Sequence, residues 1–358
     1  MDEQAAPEPE VSADESAIAE ASTPGSLPEE LPPVEPPSAS FIMQLFLVPA
    51  VIVAAVIGIW ALFGQLSASE QDWRQLVTEL SSNNEHRRWR GANGLAQMLR
   101  ADIELKEVGQ NLATNQQIAS EMTALMSELL ADTAHTEAQI KQQVYVVTAL
   151  SWLDVYDTTL PVLITATKSD QEEIVRAEAL RAFAIIAERA STRGAPIDRG
   201  DVVECLTEAS RDSAPLIRQV AAYAMAYLPG DVIEQRLRVM LEDGDAATRV
   251  NAAIAFVRRT STAGIGVFLD ALKTARHPVK PEEMEGDTPQ EKLLRARAED
   301  DMNTVIVGNV LKAVRDLKSK LTEGQRSQAL ELARSIAENH REIKIRLEAE
   351  TTVRELSE

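Results

Sequence analysis

The stretch Asp170-Gln-Glu-Glu-Ile-Val-Arg-Ala-Glu-Ala-Leu-Arg-Ala-Phe183 decides the fold. An aspartate precedes Arg176 by six residues, Ala179 and Ala182 follow at three and six, and Phe183 comes next. The same template recurs as Asp212, Arg218, Ala221, Ala224 and Met225, and again as Asp243, Arg249, Ala252, Ala255 and Phe256. Positions three and six beyond the arginine share one helix face, so small residues there let neighbouring helices approach closely. The larger apolar residue at seven fills the space between units. The aspartate is placed to cap the second helix of a two-helix unit, and the arginine to reach the aspartate of its own or an adjacent unit. No such unit buries its apolar face alone, so the units must stack.

Weaker copies extend the pattern in both directions. They are Arg88 with Gly91, Gly94 and Leu95, Lys141 with Val144 and Val147, and Arg346 with Ala349 and Val353. Helix starts are read at Asp201-Val-Val-Glu204, Asp231-Val-Ile-Glu234 and Thr288-Pro-Gln-Glu291, where a capping side chain stands three residues before a carboxylate. Thr322-Glu-Gly-Gln325 is a weaker example. The pattern resembles the HEAT-repeat family, in particular short bacterial HEAT-like units with a D-x-x-x-[VI]-R-x-x-A-x-x-A core. The resemblance spans about residues 70–356 and implies an all-α solenoid of helical hairpins that serves as a scaffold. HEAT-like units are expected over 70–276, a loop over 277–288, and helices over 289–356 that continue the solenoid.

Composition agrees with an all-α chain. Apolar residues are 45% and aromatics only 4%, which argues against a sandwich or barrel. The single cysteine, Cys205, excludes an intramolecular disulfide and a multi-cysteine zinc site. A net charge of −20 argues against nucleic acid as a partner.

Residues 1–40 form a separate regime with ten acidic residues, no lysine or arginine, and eight of the sixteen prolines. Such a segment buries too little apolar surface to offset chain entropy and is expected to be disordered. Residues 41–64, FIMQLFLVPAVIVAAVIGIWALFG, carry no charge over 24 residues. That length fits one transmembrane helix, and the acidic flank and long apolar run do not fit a cleaved signal peptide. Arg74, Arg87, Arg88 and Arg90 follow the span and no basic residue precedes it. The expected topology is therefore a single-pass protein of the cytoplasmic (inner) membrane, with the tail outside and the solenoid in the cytoplasm. In this respect the chain resembles membrane-anchored bacterial proteins with HEAT repeats.

Candidate chemistry is sparse. Cys205 lies among apolar neighbours and reads as a packing residue. His86, His135, His277 and His340 are dispersed, without metal-ligand spacing. No phosphate-binding or nucleophile-elbow motif is present. No catalytic residue, cofactor or metal is expected. Arg87, Arg88, Trp89 and Arg90 form a basic, aromatic cluster suited to lipid headgroups or an acidic partner, although Arg88 also fits the repeat register. Arg258 and Arg259 end a helix, where cations complement the dipole. The expected function is a membrane-tethered, protein-binding scaffold that recruits partners on the concave face of the Asp170–Arg259 array. Two alternatives are a lyase-like HEAT enzyme or cofactor handler, with a closed polar pocket, and a structural subunit of an envelope or membrane complex. The structural subunit would expose an apolar patch near Leu317–Leu332 or at the C-terminal helix ending near Leu356.

Overall fold

The computed structural model describes residues 47, 50–57, 73–105, 110–132, 136–275 and 280–358 of the 358. The chain divides into two units, Met1–Ser69 and Glu70–Glu358. In the first unit Leu47 and Ala50–Ile57 are helical and exposed. Among the described residues no helix is long and apolar enough to cross a membrane. The expected span is corrected accordingly. The lipid-bilayer partner, the inner-membrane location, the topology and the tethering role that rested on it have no support in the described residues. The rest of 41–64, the tail 1–40, His135 and His277 lie outside them.

The second unit is all-α. Its helices are α1 (Trp73–Leu80), α2 (Glu85–Leu105), α3 (Gln116–Ala131), α4 (Glu137–Leu150), α5 (Tyr156–Ala166), α6 (Glu173–Thr192) and α7 (Gly200–Ala209). They continue as α8 (Pro215–Met225), α9 (Asp231–Met240), α10 (Ala246–Arg258), α11 (Ile265–Thr274), α12 (Pro289–Asp316), α13 (Glu323–Asn339) and α14 (Ile343–Ser357). Consecutive helices pair as hairpins, α1 with α2 through α13 with α14. The second helices of successive hairpins, α2, α4, α6, α8, α10, α12 and α14, each pack on the next and form one layer. The first helices form the other layer, continuous from α1 to α9 and again from α11 to α13.

Small residues set the spacing of the second-helix layer. Ala179, Ala182, Ala221, Ala224, Ala252 and Ala255 are all buried, as are Phe183, Met225 and Phe256 at the following template position. Second helices run parallel: Asn251 Nδ2 donates to the Gln219 carbonyl (3.0 Å) near their starts, and Arg259 Nη2 donates to the Met225 carbonyl (3.2 Å) near their ends. The glycines of the first hairpin have a steric reason. A Cβ on Gly91 would stand 2.6 Å from the Leu76 carbonyl oxygen, so α1 and α2 approach to backbone contact there.

Apolar packing divides on α10. One cluster runs from Trp73 to Phe256, and a second from Val250 to Leu356. Ala252, Ala255 and Phe256 face the first, while Val250 and Ala253 face the second. Leu317, Leu332 and Leu356 are buried in the second cluster. On the C-terminal helix α14, Ile343 and Leu347, one turn apart, are exposed.

Helix starts differ in part from expectation. Thr288 and Thr322 cap α12 and α13 with complete capping boxes to Glu291 and Gln325, and Thr136 does the same for α4 with Gln139. Asp201 and Asp231 are not caps. Both sit inside the first turn, after Arg199 and Gly230, where a carboxylate opposes the positive end of the helix dipole.

Candidate functional site

Arginines at the template position tie four of the hairpin turns. Arg218 Nη1 donates to the carbonyls of Asp212 (2.9 Å) and Ser213 (3.1 Å), six and five residues back. Arg249, Arg88 and Arg346 likewise reach the carbonyls of Asp243, Ser82 and His340. Arg176 pairs with Asp212, and Arg218 grips Asp243 with Nε and Nη2, both at 2.9 Å. The arginine thus reaches the next unit's aspartate. Asp212 and Asp243 do not cap α8 and α10. Each accepts from the amide two residues on, at 2.9 Å, an Asx turn; Arg176 takes the other oxygen of Asp212, whereas Arg218 bonds both oxygens of Asp243. Asp245 takes the cap of α10, accepting from Thr248 N at 2.7 Å. Asp170, at the start of the series, is exposed.

Of the basic cluster near the start of the stack, Arg88 turns inward while Arg87, Trp89 and Arg90 stay exposed. Arg88 is buried and bonded to Ser82. Arg90 forms a two-point ion pair with Glu79, with the shorter contact at 2.5 Å, and that bond holds the Glu79 carboxyl below its usual range. Trp89 and Arg87 remain at the surface.

A more organised group lies on the outward face of the second-helix layer. Tyr223 of α8 and Tyr227 in the turn that follows it stand four residues apart, their rings edge to face with centroids 6.0 Å apart. The Arg258 guanidinium, from the end of α10, lies 5.0 Å from the centre of the Tyr223 ring and 4.4 Å from that of Tyr227. Each such contact is worth about 0.5–1 kcal/mol at an exposed site. Tyr227 Oη donates to Glu188 Oε1 of α6 at 2.8 Å. Burial, reinforced by that bond, holds its phenol well above the usual range. Beside the trio, between α8, α10 and α12, a groove of about 320 Å³ is lined by Asn251, Ile254, Asn309, Lys312 and Asp316. A cation held against two half-buried rings, next to amides and opposite charges, presents ready-made contact area at low entropic cost.

Arg258 and Arg259 do end α10, and both make further contacts. Arg259 turns inward onto the Met225 and Leu228 carbonyls that end α8, and Arg258 stacks outward on the tyrosines. Their readable signal was the i, i+4 tyrosine pair at the end of one helix with an arginine ending the next second helix. Cys205 is buried beside Thr167 Oγ1 (3.1 Å), and burial pushes its thiol up to about 11, so it is not a thiolate at neutral pH. Among the described residues no group of three or more His, Cys, Asp or Glu side chains is placed to hold a metal ion.

No family model matches the chain, and no curated protein matches it. The expected membership of the HEAT-repeat family is corrected on that ground. Tying a hairpin turn by an arginine six residues on is a local solution that stacked helical hairpins of any ancestry can use. Among solved structures, the E. coli protein YibA is similar at 15% identity, over 81% of this chain and 84% of its own, with a TM-score of 0.40. An engineered protein is similar at 17% identity, over 80% of this chain and 97% of its own, with a TM-score of 0.28. Both scores lie below 0.5, and neither protein informs what this chain does.

Proposed function

We propose that this chain is a protein-binding scaffold whose second-helix face receives a segment of a partner protein at Tyr223, Tyr227 and Arg258. The observation that supports it is the Arg258 guanidinium stacked over both tyrosines at the edge of the groove. Tyrosine and arginine dominate binding energy where they are pre-positioned and only partly solvated. The groove between α8, α10 and α12 takes the side chain of the incoming segment, and Lys312 and Asp316 fix its charge register.

A photo-crosslinking residue at Asn251 in the full chain is expected to trap a discrete adduct in cells. Arg258→Ala or Tyr223→Ala is expected to reduce that adduct at least about tenfold. The same crosslinker at Val239, exposed on α9 in the other layer, is expected to give none. Equal adducts from both positions, or an adduct indifferent to Arg258, would overturn the proposal.

A further inference from the structure

The arginine series that ties the hairpins ends incomplete. Arg176 and Arg218 each hold the next turn's aspartate, Asp212 and Asp243. Arg249 repeats the backbone half of the arrangement, with Nη1 donating to Asp243 O (2.7 Å) and Gly244 O (3.0 Å). The other half is missing: among the described residues no carboxylate lies within ion-pair distance of its Nε and Nη2. The cause is the register of α12. Arg249 stands level with Asn303 and Thr304, which line the same cleft, whereas α12 begins at Pro289. At 1.5 Å per residue the turn before α12 is carried about 20 Å past Arg249. The place where an aspartate would arrive is instead a cleft of about 750 Å³, bordered by Leu241, Arg249, Thr274, Asn303 and His340. It lies where the two apolar clusters meet, and its size is that of a ligand-binding cleft.

The geometry points to Arg249 as the anchor of a second peptide-binding site, which takes an aspartate or glutamate side chain from a partner protein's turn. The incoming carboxylate occupies the position that Asp212 and Asp243 hold inside the molecule, and meets the same two-pronged edge of a guanidinium. Recognition is not of acidity in general. Glu242 and Glu299 also line the cleft, and Asp300 there pairs with Arg341 at 3.0 Å. A polyacidic segment is repelled, so the favoured ligand carries a lysine or arginine beside its acid. This site is separate from the tyrosine face. Arg249 and Arg258 are nine residues apart, about two and a half turns, and leave α10 on opposite sides.

The chain's own turn supplies a probe of this chemistry. A labelled peptide of residues 209–219, ASRDSAPLIRQ, carries Asp212 beside Arg211. Titrated with the full-length protein, it is expected to bind measurably below about 1 mM. Asp212→Asn in the peptide, or Arg249→Gln in the protein, is expected to weaken binding about tenfold or more, and the two changes together no further. Asn303→Trp, which fills the cleft while leaving the turn carbonyls of Arg249 bonded, is expected to block binding as well, so a folding defect in Arg249→Gln does not decide the matter. Absence of binding at 1 mM, or equal binding by the asparagine peptide, would overturn the assignment. Arg258→Ala is expected to leave this peptide's binding unchanged, and Arg249→Gln to leave the Asn251 adduct unchanged, which separates failure here from failure of the tyrosine-face proposal.

Discussion

Phe256→Ala is expected to destabilise the helical stack by about 3–5 kcal/mol. Phe256 is fully buried in α10, the helix on which the two apolar clusters meet. Truncation there removes the transfer free energy of a phenyl ring and leaves a cavity. Its neighbours Ala252 and Ala255 are too small to fill that space by changing rotamer. Equilibrium urea denaturation of the full chain measures it, as a lower midpoint with little change of slope. Val239→Ala, on the exposed side of α9, should stay within about 0.5 kcal/mol. A Phe256 effect below about 1 kcal/mol would mean that α10 is not the seam described.

Breaking the bidentate pair between α8 and the turn before α10 ranks next. Arg218 and Asp243 side chains are 17% and 12% exposed, so removing one partner strands a largely desolvated charge. Asp243→Asn or Arg218→Ala is expected to cost about 2–3 kcal/mol, less than a fully buried pair because Arg218 keeps its carbonyl partners. The double variant should lose less than the sum of the singles. The hydrogen bonds from Arg218 hold the Asp243 carboxyl below its ordinary value. Its contribution is therefore fully present above the unfolded carboxylate range, near pH 4, and is lost as pH falls through the lower folded value. Asp243→Asn should flatten this part of the acid limb of a stability profile. It should leave the part due to Asp154, where Arg193 and Arg189 outweigh the opposing effect of burial. An acid limb unchanged in Asp243→Asn would contradict the pairing.

Helical period and small-residue spacing made the stack legible, because alanines three apart on one face have few uses other than close helix packing. That the template arginine meets an aspartate was readable, but not that the aspartate belongs to the next unit. What the aspartates do was not. An Asx turn and a helix cap have the same residue preference, and only the backbone decides between them. Asp201 and Asp231 misled for a related reason: a carboxylate at the first or second position of a helix is favoured by the dipole and resembles a cap in sequence. The run at 41–64 shows another limit. Hydropathy counts apolar residues, whereas a membrane span also requires about 20 of them in one helix, and among the described residues no helix meets that. The tyrosine–arginine group was missed because it joins residues of two hairpins. Tyr223 and Tyr227 are neighbours in sequence, but the arginine over them is set only by the parallel docking of α10 on α8.

The most direct measurement of the central claim is hydrogen exchange of the full chain, alone and with the partner trapped through Asn251. The account predicts slowed exchange in α8 and α10 around Tyr223–Tyr227 and Asn251–Arg258, and in α12 around Asn309–Asp316, with α7 and α9 unchanged. Protection confined to the first-helix layer, or none at α8 and α10, would contradict it.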